Sequence, residues 1–251
     1  MPTTDDLKLT PFPSILIVGD AGTKKTWLSG QFPKPYFFDF DKGMAVLRDV
    51  KGITYDTFKD APEASKVFDP AKGIYEWGKG WPAFIKKLNE VGSTMDEGKC
   101  PYTTIVFDSL TMMGNLALNY VIAEAKRNNR YKSGDPVDQG LWGQQSRLLE
   151  TTMDQLTSWD IARIVTAHVQ RDTNTVTMNV EKLPLTTGKF AGKVGAYFDE
   201  VWYIEAKGDK LVIKTKHNAQ MRQAKSRYNL TDESELDFNK LKLVLFNGAA
   251  K

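Results

Sequence analysis

The sequence holds one cysteine, Cys100, and two histidines, His168 and His217, in 251 residues. A single thiol closes no disulfide within the chain, so cysteine usage gives no sign of an oxidising compartment. No His or Cys pair stands at the spacing of a zinc site. Cys100 precedes Pro101 and reads as a half-buried residue before a turn rather than as a nucleophile. No apolar run approaches the roughly 20 residues that a membrane-spanning helix needs. The opening stretch MPTTDDLKLTPFP lacks the basic start and apolar segment of a secretory leader. The expectation is a cytoplasmic protein without membrane association. A strong excess of one charge is also missing. With 34 Lys and Arg against 31 Asp and Glu, the formal charge is +3, which by itself argues for no nucleic-acid partner.

What remains is an ordinary globular composition, 41% hydrophobic and 26% charged, at a length that can bury a sizeable core. The runs SILIV (14–18), YFFDF (36–40), TTIVF (103–107) and ARIVTAHV (162–169) predict strands, most of them buried on both faces. GITYDTF is a further strand candidate, and TWLSGQF starts a short helix. Segments 81–91, 109–126 and 141–159 predict helices, with Asp108 or Ser109 placed to cap the second. EVWYIEA, a Gly-Asp turn and KLVIKTK predict a hairpin, and LKLVLF (241–246) a last strand. Segment 171–195 is polar, bears glycine and lacks a clear period, so it reads as irregular and either functional or mobile. Strands alternating with helices predict an α/β fold, a mainly parallel central sheet flanked by helices with an antiparallel hairpin at one edge. The expected organisation is an N-terminal arm over 1–13, a core over 14–230 and a C-terminal extension over 231–251.

The chemistry begins at residues 19–27, GDAGTKKTW. They follow an apolar strand and nearly match the phosphate-binding pattern G-x-x-x-x-G-K-[ST]. Gly19 opens the loop and Lys25-Thr26 closes it, while Lys24 fills the slot of the second glycine. Such a strand-loop-helix turn aims backbone N–H groups and a helix N-terminus at one anion. The expected nucleotide-binding residues are Gly19, Asp20, Ala21, Gly22, Thr23, Lys24, Lys25 and Thr26. Lys25 would reach the β- and γ-phosphates of ATP, and Thr26 would ligate Mg²⁺. A chance glycine turn before a helix is the plainer reading, and the strand before the loop weighs against it. Downstream, YTTIVFDSLT ends an apolar strand in Asp108, the Walker B pattern, whose carboxylate would hold Mg²⁺ through water. Any buried parallel strand that ends in a capping aspartate looks the same, so this motif draws its value from its order after the loop.

These motifs together resemble the RecA-type P-loop ATPase core. The resemblance rests on the Asp-Ser pair at 108–109, on FFDFDKG, on ARIVTAHVQ and on AKSRY. It implies that Asp41 takes the place of the glutamate that orients the attacking water, one methylene shorter than usual. Asp41 also reads as a solvated turn residue before Gly43. It further implies that His168 senses the γ-phosphate, with Gln170 a weaker choice. Lys225 and Arg227 would be a finger reaching the neighbouring subunit's site, as a head-to-tail ring or filament allows; an ordinary basic turn is the alternative. More narrowly, residues 14–230 resemble the short phage RecA-like ATPases linked to recombination and single-strand annealing. The stretches GDAGTKKT, PKPYFFDFDKG, YTTIVFDSLT, IVTAHVQ, PLTTGKFAGKVGAYFDEVWYI and AKSR appear in the order of that group.

By the same resemblance, single-stranded DNA would lie against two loops, 127–139 and 171–195. The first offers Arg127, Arg130, Tyr131 and Lys132; the second offers Lys189 and Lys193, besides Arg171, Lys182 and Phe190. Cations with an interleaved aromatic suit backbone contact and base stacking. Two solvated loops are the other reading. The implied activity is Mg²⁺-dependent ATP hydrolysis coupled to single-stranded DNA. The alternatives are a nucleotide-dependent assembly or DNA-binding protein with little turnover, and a P-loop phosphotransferase.

Overall fold

The computed structural model describes residues 12–175 and 178–247. Most of the expected 1–13 arm lies outside the described residues. The elements in chain order are β1 (Ser14–Gly19), α1 (Lys25–Ser29), β2 (Pro35–Asp39), β3 (Thr54–Thr57), β4 (Lys59–Asp60), β5 (Ile74–Tyr75), α2 (Gly80–Asp96), β6 (Thr104–Asp108), α3 (Leu110–Arg127), α4 (Gln139–Thr157), β7 (Ala162–Ala167), β8 (Val169–Thr173), β9 (Val180–Pro184), α5 (Gly188–Lys193), β10 (Glu200–Lys207), β11 (Lys210–Lys214), β12 (Lys225–Ser226), β13 (Ser234–Glu235) and α6 (Phe238–Asn247). No described helix is long and apolar enough to cross a membrane.

The main sheet runs β13-β11-β10-β1-β7-β6-β2-β3, with β12 beside β10. From β10 to β3 the pairs are parallel, and β11, β12 and β13 are antiparallel. The expected hairpin at the edge is therefore β10–β11. Period-two alternation sorts the strand residues between two cores. Leu16 and Val18 of β1 face one side with Phe38, Phe107 and Val165, under α2, α3 and α4. Ile15 and Ile17 face the other with Phe37, Val106 and Ile164, under α1 and α6. Strands covered on both faces read as continuous apolar runs, as these four do.

Two expectations about secondary structure are corrected. LKLVLF is helix, part of α6, and not strand. Its leucines satisfy a period of two and a period of 3.6 alike. Leu241 and Leu245 are buried while Leu243 is 60% exposed, an i, i+4 face. Segment 171–195 is not irregular. β8 and β9 form a two-stranded antiparallel ribbon apart from the main sheet, with Val169 opposite Pro184 and Thr173 opposite Val180, and α5 follows. The ribbon is largely open to solvent, so it needs no apolar alternation to form and shows none. Beyond residue 230 the chain adds β13 to the sheet edge and α6 to the second core.

Candidate functional site

Parallel register brings four chain segments to one edge. β1, β7, β6 and β2 are neighbours, and their C-terminal ends carry Gly19, His168 (one residue past β7), Asp108 and Asp39. Open parallel sheets bind ligands at this edge.

Gly19 must be glycine, because a Cβ there would stand 2.6 Å from Thr23 Oγ1 and 3.0 Å from Ile204 O. Gly22 has φ +80 and needs glycine's conformational freedom. The turn closes as Thr23 Oγ1 donates to Asp20 O at 2.8 Å. Lys24 has φ 61 and ψ 25, in the left-handed region. The pattern's glycine thus has a physical reason, and a lysine pays about 1–2 kcal/mol to stand there. Its side chain is exposed, as the strand-loop-helix reading requires. Lys24→Gly should relieve that strain and raise Tm by about 2–4 °C, measured by thermal unfolding without nucleotide; an unchanged or lower Tm would show that no strain is held there.

Lys25 is buried, and its Nζ donates to Gly19 O at 2.9 Å and Asp20 O at 2.8 Å. Burial lowers its pKa, opposed by the nearby Asp108, Asp41 and Asp20. Thr26 Oγ1 donates to Asp108 Oδ2 at 2.6 Å. The other oxygen, Asp108 Oδ1, accepts from Thr166 Oγ1. Asp108 is 1% exposed, and burial raises its pKa against the two hydroxyls that favour the charged form. The Asp108–Ser109 peptide is cis.

Ser109 caps α3 through Met112 N at 3.4 Å and donates its own Oγ to Asp41 Oδ1 at 3.0 Å. Asp41 Oδ2 lies 3.5 Å from His168 Nε2. The turn that presents Asp41 is clamped by Asp39, which accepts from Gly43 N at 3.1 Å and Thr57 Oγ1 at 2.9 Å. Burial also raises the Asp39 pKa. Ala21, Gly22, Lys24, Lys25, Thr26, Trp27, Asp41, Asp108 and His168 share one cavity of about 430 Å³. A hydroxyl and a carboxylate are the hard oxygen donors that Mg²⁺ takes, with phosphate and water completing its shell. Among the described residues no group of three His, Cys, Asp or Glu could hold a metal by itself. The residues present fit a nucleotide-borne Mg²⁺ rather than a resident ion.

The other sequence-predicted residues are placed elsewhere. Asp20 does not line the cavity, and its carboxylate is gripped by Arg171 at 3.0 and 2.5 Å. That bidentate pair lowers the Asp20 pKa and joins the phosphate loop to β8. Lys182 pairs with Glu205. Arg171 and Lys182 are thus committed within the chain. Of the two loops, Arg127 pairs with Glu124 at 2.8 Å, and Lys193 with Glu150. Tyr131 packs against the cluster of Val121, Ala125 and Leu141, with Lys126 Nζ 5.6 Å from its ring centre. Arg130, Lys132 and Lys189 are exposed and make no ion pair among the described residues. Lys225 and Arg227 lie far from their own phosphate loop. Lys225 stands opposite Val201 near the start of β10, whereas Gly19 stands opposite Ile204 further along the same strand. Lys225 is half-buried, with its pKa lowered by burial and then by Arg227. Arg227 is exposed and bonds Asp199 at 2.6 Å.

Thr166, Thr57 and Thr111 are functional candidates that sequence reasoning missed. Thr166 carried a signal, a lone hydroxyl in a buried apolar strand two residues before His168. Thr111 Oγ1 donates to Leu185 O at 2.7 Å and accepts from His168 N at 3.0 Å, while Leu185 N donates to His168 O at 2.7 Å. The residue after β7 is therefore tied to both the cavity and the segment leading into α5.

A protein-family profile described as an AAA domain matches residues 12–228. No curated protein matches the sequence.

Proposed function

Because the chain belongs to the AAA-domain family of P-loop nucleotide hydrolases, we propose that it is a Mg²⁺-dependent ATPase that acts on single-stranded DNA in phage-type recombination or annealing. The observation that carries the ATPase reading is the convergence of Lys25, Thr26, Asp108, Asp41 and His168 on one cavity at adjacent strand ends. Mg²⁺, when bound with ATP, supplies charge neutralisation at the transferring phosphoryl group.

The chain's own residues do the rest. Lys25 exchanges its two backbone carbonyl partners for phosphate oxygens. Thr26 and Asp108 are already within one hydrogen bond of each other, so ligands from α1 and β6 are preorganised. Thr166 holds the second oxygen of Asp108 and fixes its orientation. Asp41, steadied by Ser109 and His168, is placed to orient water and accept its proton. His168 reports occupancy of the cavity through its backbone bonds to Thr111 and Leu185. Lys225 and Arg227, remote from their own site, complete a neighbour's. The DNA reading draws on the free cations Arg130, Lys132 and Lys189 and on the direct succession of β7, His168 and the β8–β9 ribbon.

ATP hydrolysis with Mg²⁺, with and without single-stranded DNA, tests this reading. Turnover should rise on adding DNA and disappear in Lys25→Ala. A second reading, a nucleotide-dependent assembly protein with little turnover, is favoured by one observation: both oxygens of the short Asp41 side chain already have partners. Tight ATP binding without turnover in either condition would select it.

A further inference from the structure

A second groove, of about 920 Å³, opens between α3, α4 and the segment 185–193. One wall is Trp142, near the start of α4, with 39% of its surface open. Gly143 beside it and Gly114 on the facing helix leave backbone where side chains would otherwise fill the space. Two polar atoms in the lining are buried without a hydrogen-bond partner, Gln145 Oε1 and Thr186 Oγ1. Gln145 is 1% exposed, and only its Nε2 is satisfied, by Gly114 O at 2.6 Å. A Cβ on residue 114 would lie 3.6 Å from Gln145 Nε2 and 3.7 Å from Thr186 Oγ1, so the amide and the hydroxyl flank one glycine. Buried polar atoms are nearly always paired, so these two call for a partner from outside the chain. Lys189, exposed on the same groove, makes no ion pair among the described residues, whereas Lys193 is held by Glu150.

We propose that this groove receives one base of a single-stranded DNA: Trp142 stacks on the ring, Gln145 and Thr186 take its polar edge, and Lys189 meets the adjoining phosphate. The inference rests on the proposed DNA-binding reading and assigns its place. A flat ring with a donor–acceptor edge, joined to an anion, matches an exposed indole, an unpaired amide oxygen beside an unpaired hydroxyl, and a free ammonium. The first of the two expected DNA loops lies outside the lining of this groove: its Tyr131 packs against the cluster of Val121, Ala125 and Leu141. The polar couple is shielded in this conformation, and a shift of residues 185–187 uncovers it. That segment is the one tied to His168 and Thr111, so base capture and the nucleotide cavity pull on the same backbone.

The test is anisotropy of a labelled oligothymidine strand titrated with the full chain at one fixed salt concentration. Trp142→Ala should weaken binding about tenfold and Trp142→Phe by less than about threefold, because a ring remains to stack. An abasic strand of equal length should bind Trp142→Ala and the parent chain alike. Thr186→Val is isosteric and removes a hydroxyl that has no bond to lose, so it should bind about three- to tenfold more weakly if a base edge uses that hydroxyl. Binding by the parent chain with Trp142→Ala and Thr186→Val unchanged would overturn the groove and leave the DNA reading standing. A parent chain that binds no strand would overturn both.

Discussion

Alanine in place of Arg227 is expected to lower ATP turnover by about 10³–10⁵-fold, the range for an arginine supplied in trans, while nucleotide binding to the altered chain stays unchanged. The reason is positional. Arg227 follows β12 at the N-terminal edge of the sheet, and the phosphate loop lies at the C-terminal edge. It stands toward the opposite edge from its own site, and its guanidinium is parked on Asp199. Mixing separates a finger from a structural residue. An Arg227→Ala chain keeps an intact cavity; an Asp108→Asn chain keeps an intact finger. With random mixing in equal amounts, about a quarter of head-to-tail interfaces join the two intact halves. Turnover should recover to about that fraction of the parent's. A variant that hydrolyses at the parent rate, or a mixture that recovers nothing, would remove the finger from the mechanism.

Asp108→Asn should separate stability from activity. Turnover should fall about 10³-fold, since several kcal/mol of transition-state stabilisation depend on the ligand carboxylate. Stability without nucleotide should rise. Asp108 is a buried carboxylate whose pKa is raised by desolvation. The folded chain therefore binds that proton more tightly than the unfolded chain does. Its contribution is fully present below the unfolded pKa of about 3.9 and is lost as pH climbs toward the raised folded value. Asparagine keeps the shape, accepts from one threonine and can donate to the other, and has no charge to desolvate. A gain on the order of 1 kcal/mol raises Tm by about 2–4 °C at this chain length. The gain should be largest near neutral pH and shrink toward pH 4. Asp39, Asp60 and Glu200 carry shifts of the same sign and cause, so the parent chain itself should be steadier in mild acid than a protein stabilised by ionised carboxylates. A Tm at neutral pH that falls in Asp108→Asn would contradict this account.

The fold was legible where burial forces a pattern. Strands β1, β2, β6 and β7 are covered on both faces, so each appears as an apolar run, and the groups at their ends fall into order along the sequence. The phosphate loop was legible for a different reason: its glycines answer to backbone geometry that few residues can adopt. The cross-strand hydrogen bonds were not legible. Thr166 meets Asp108, and Ser109 meets Asp41, only because β7, β6 and β2 stand side by side in a particular register. No local pattern encodes that adjacency. The β8–β9 ribbon escaped because solvent on its faces removes the alternation that marks a strand. In α6, six residues fit both periods, and only the partner surface decides between them. Arg171 reads from sequence as a cation for DNA, and the structure gives it to Asp20.

Under the proposed reading, Lys225 and Arg227 at one edge of the sheet and the phosphate loop at the other give the molecule a donor end and an acceptor end. An open array of n copies then holds n−1 completed cavities, while a closed ring holds n. Activity per subunit is then a count of junctions. It begins at zero for a single copy, reaches half of its limit in a pair and climbs with length in a filament, and closing a ring adds the one missing junction and brings it to the limit.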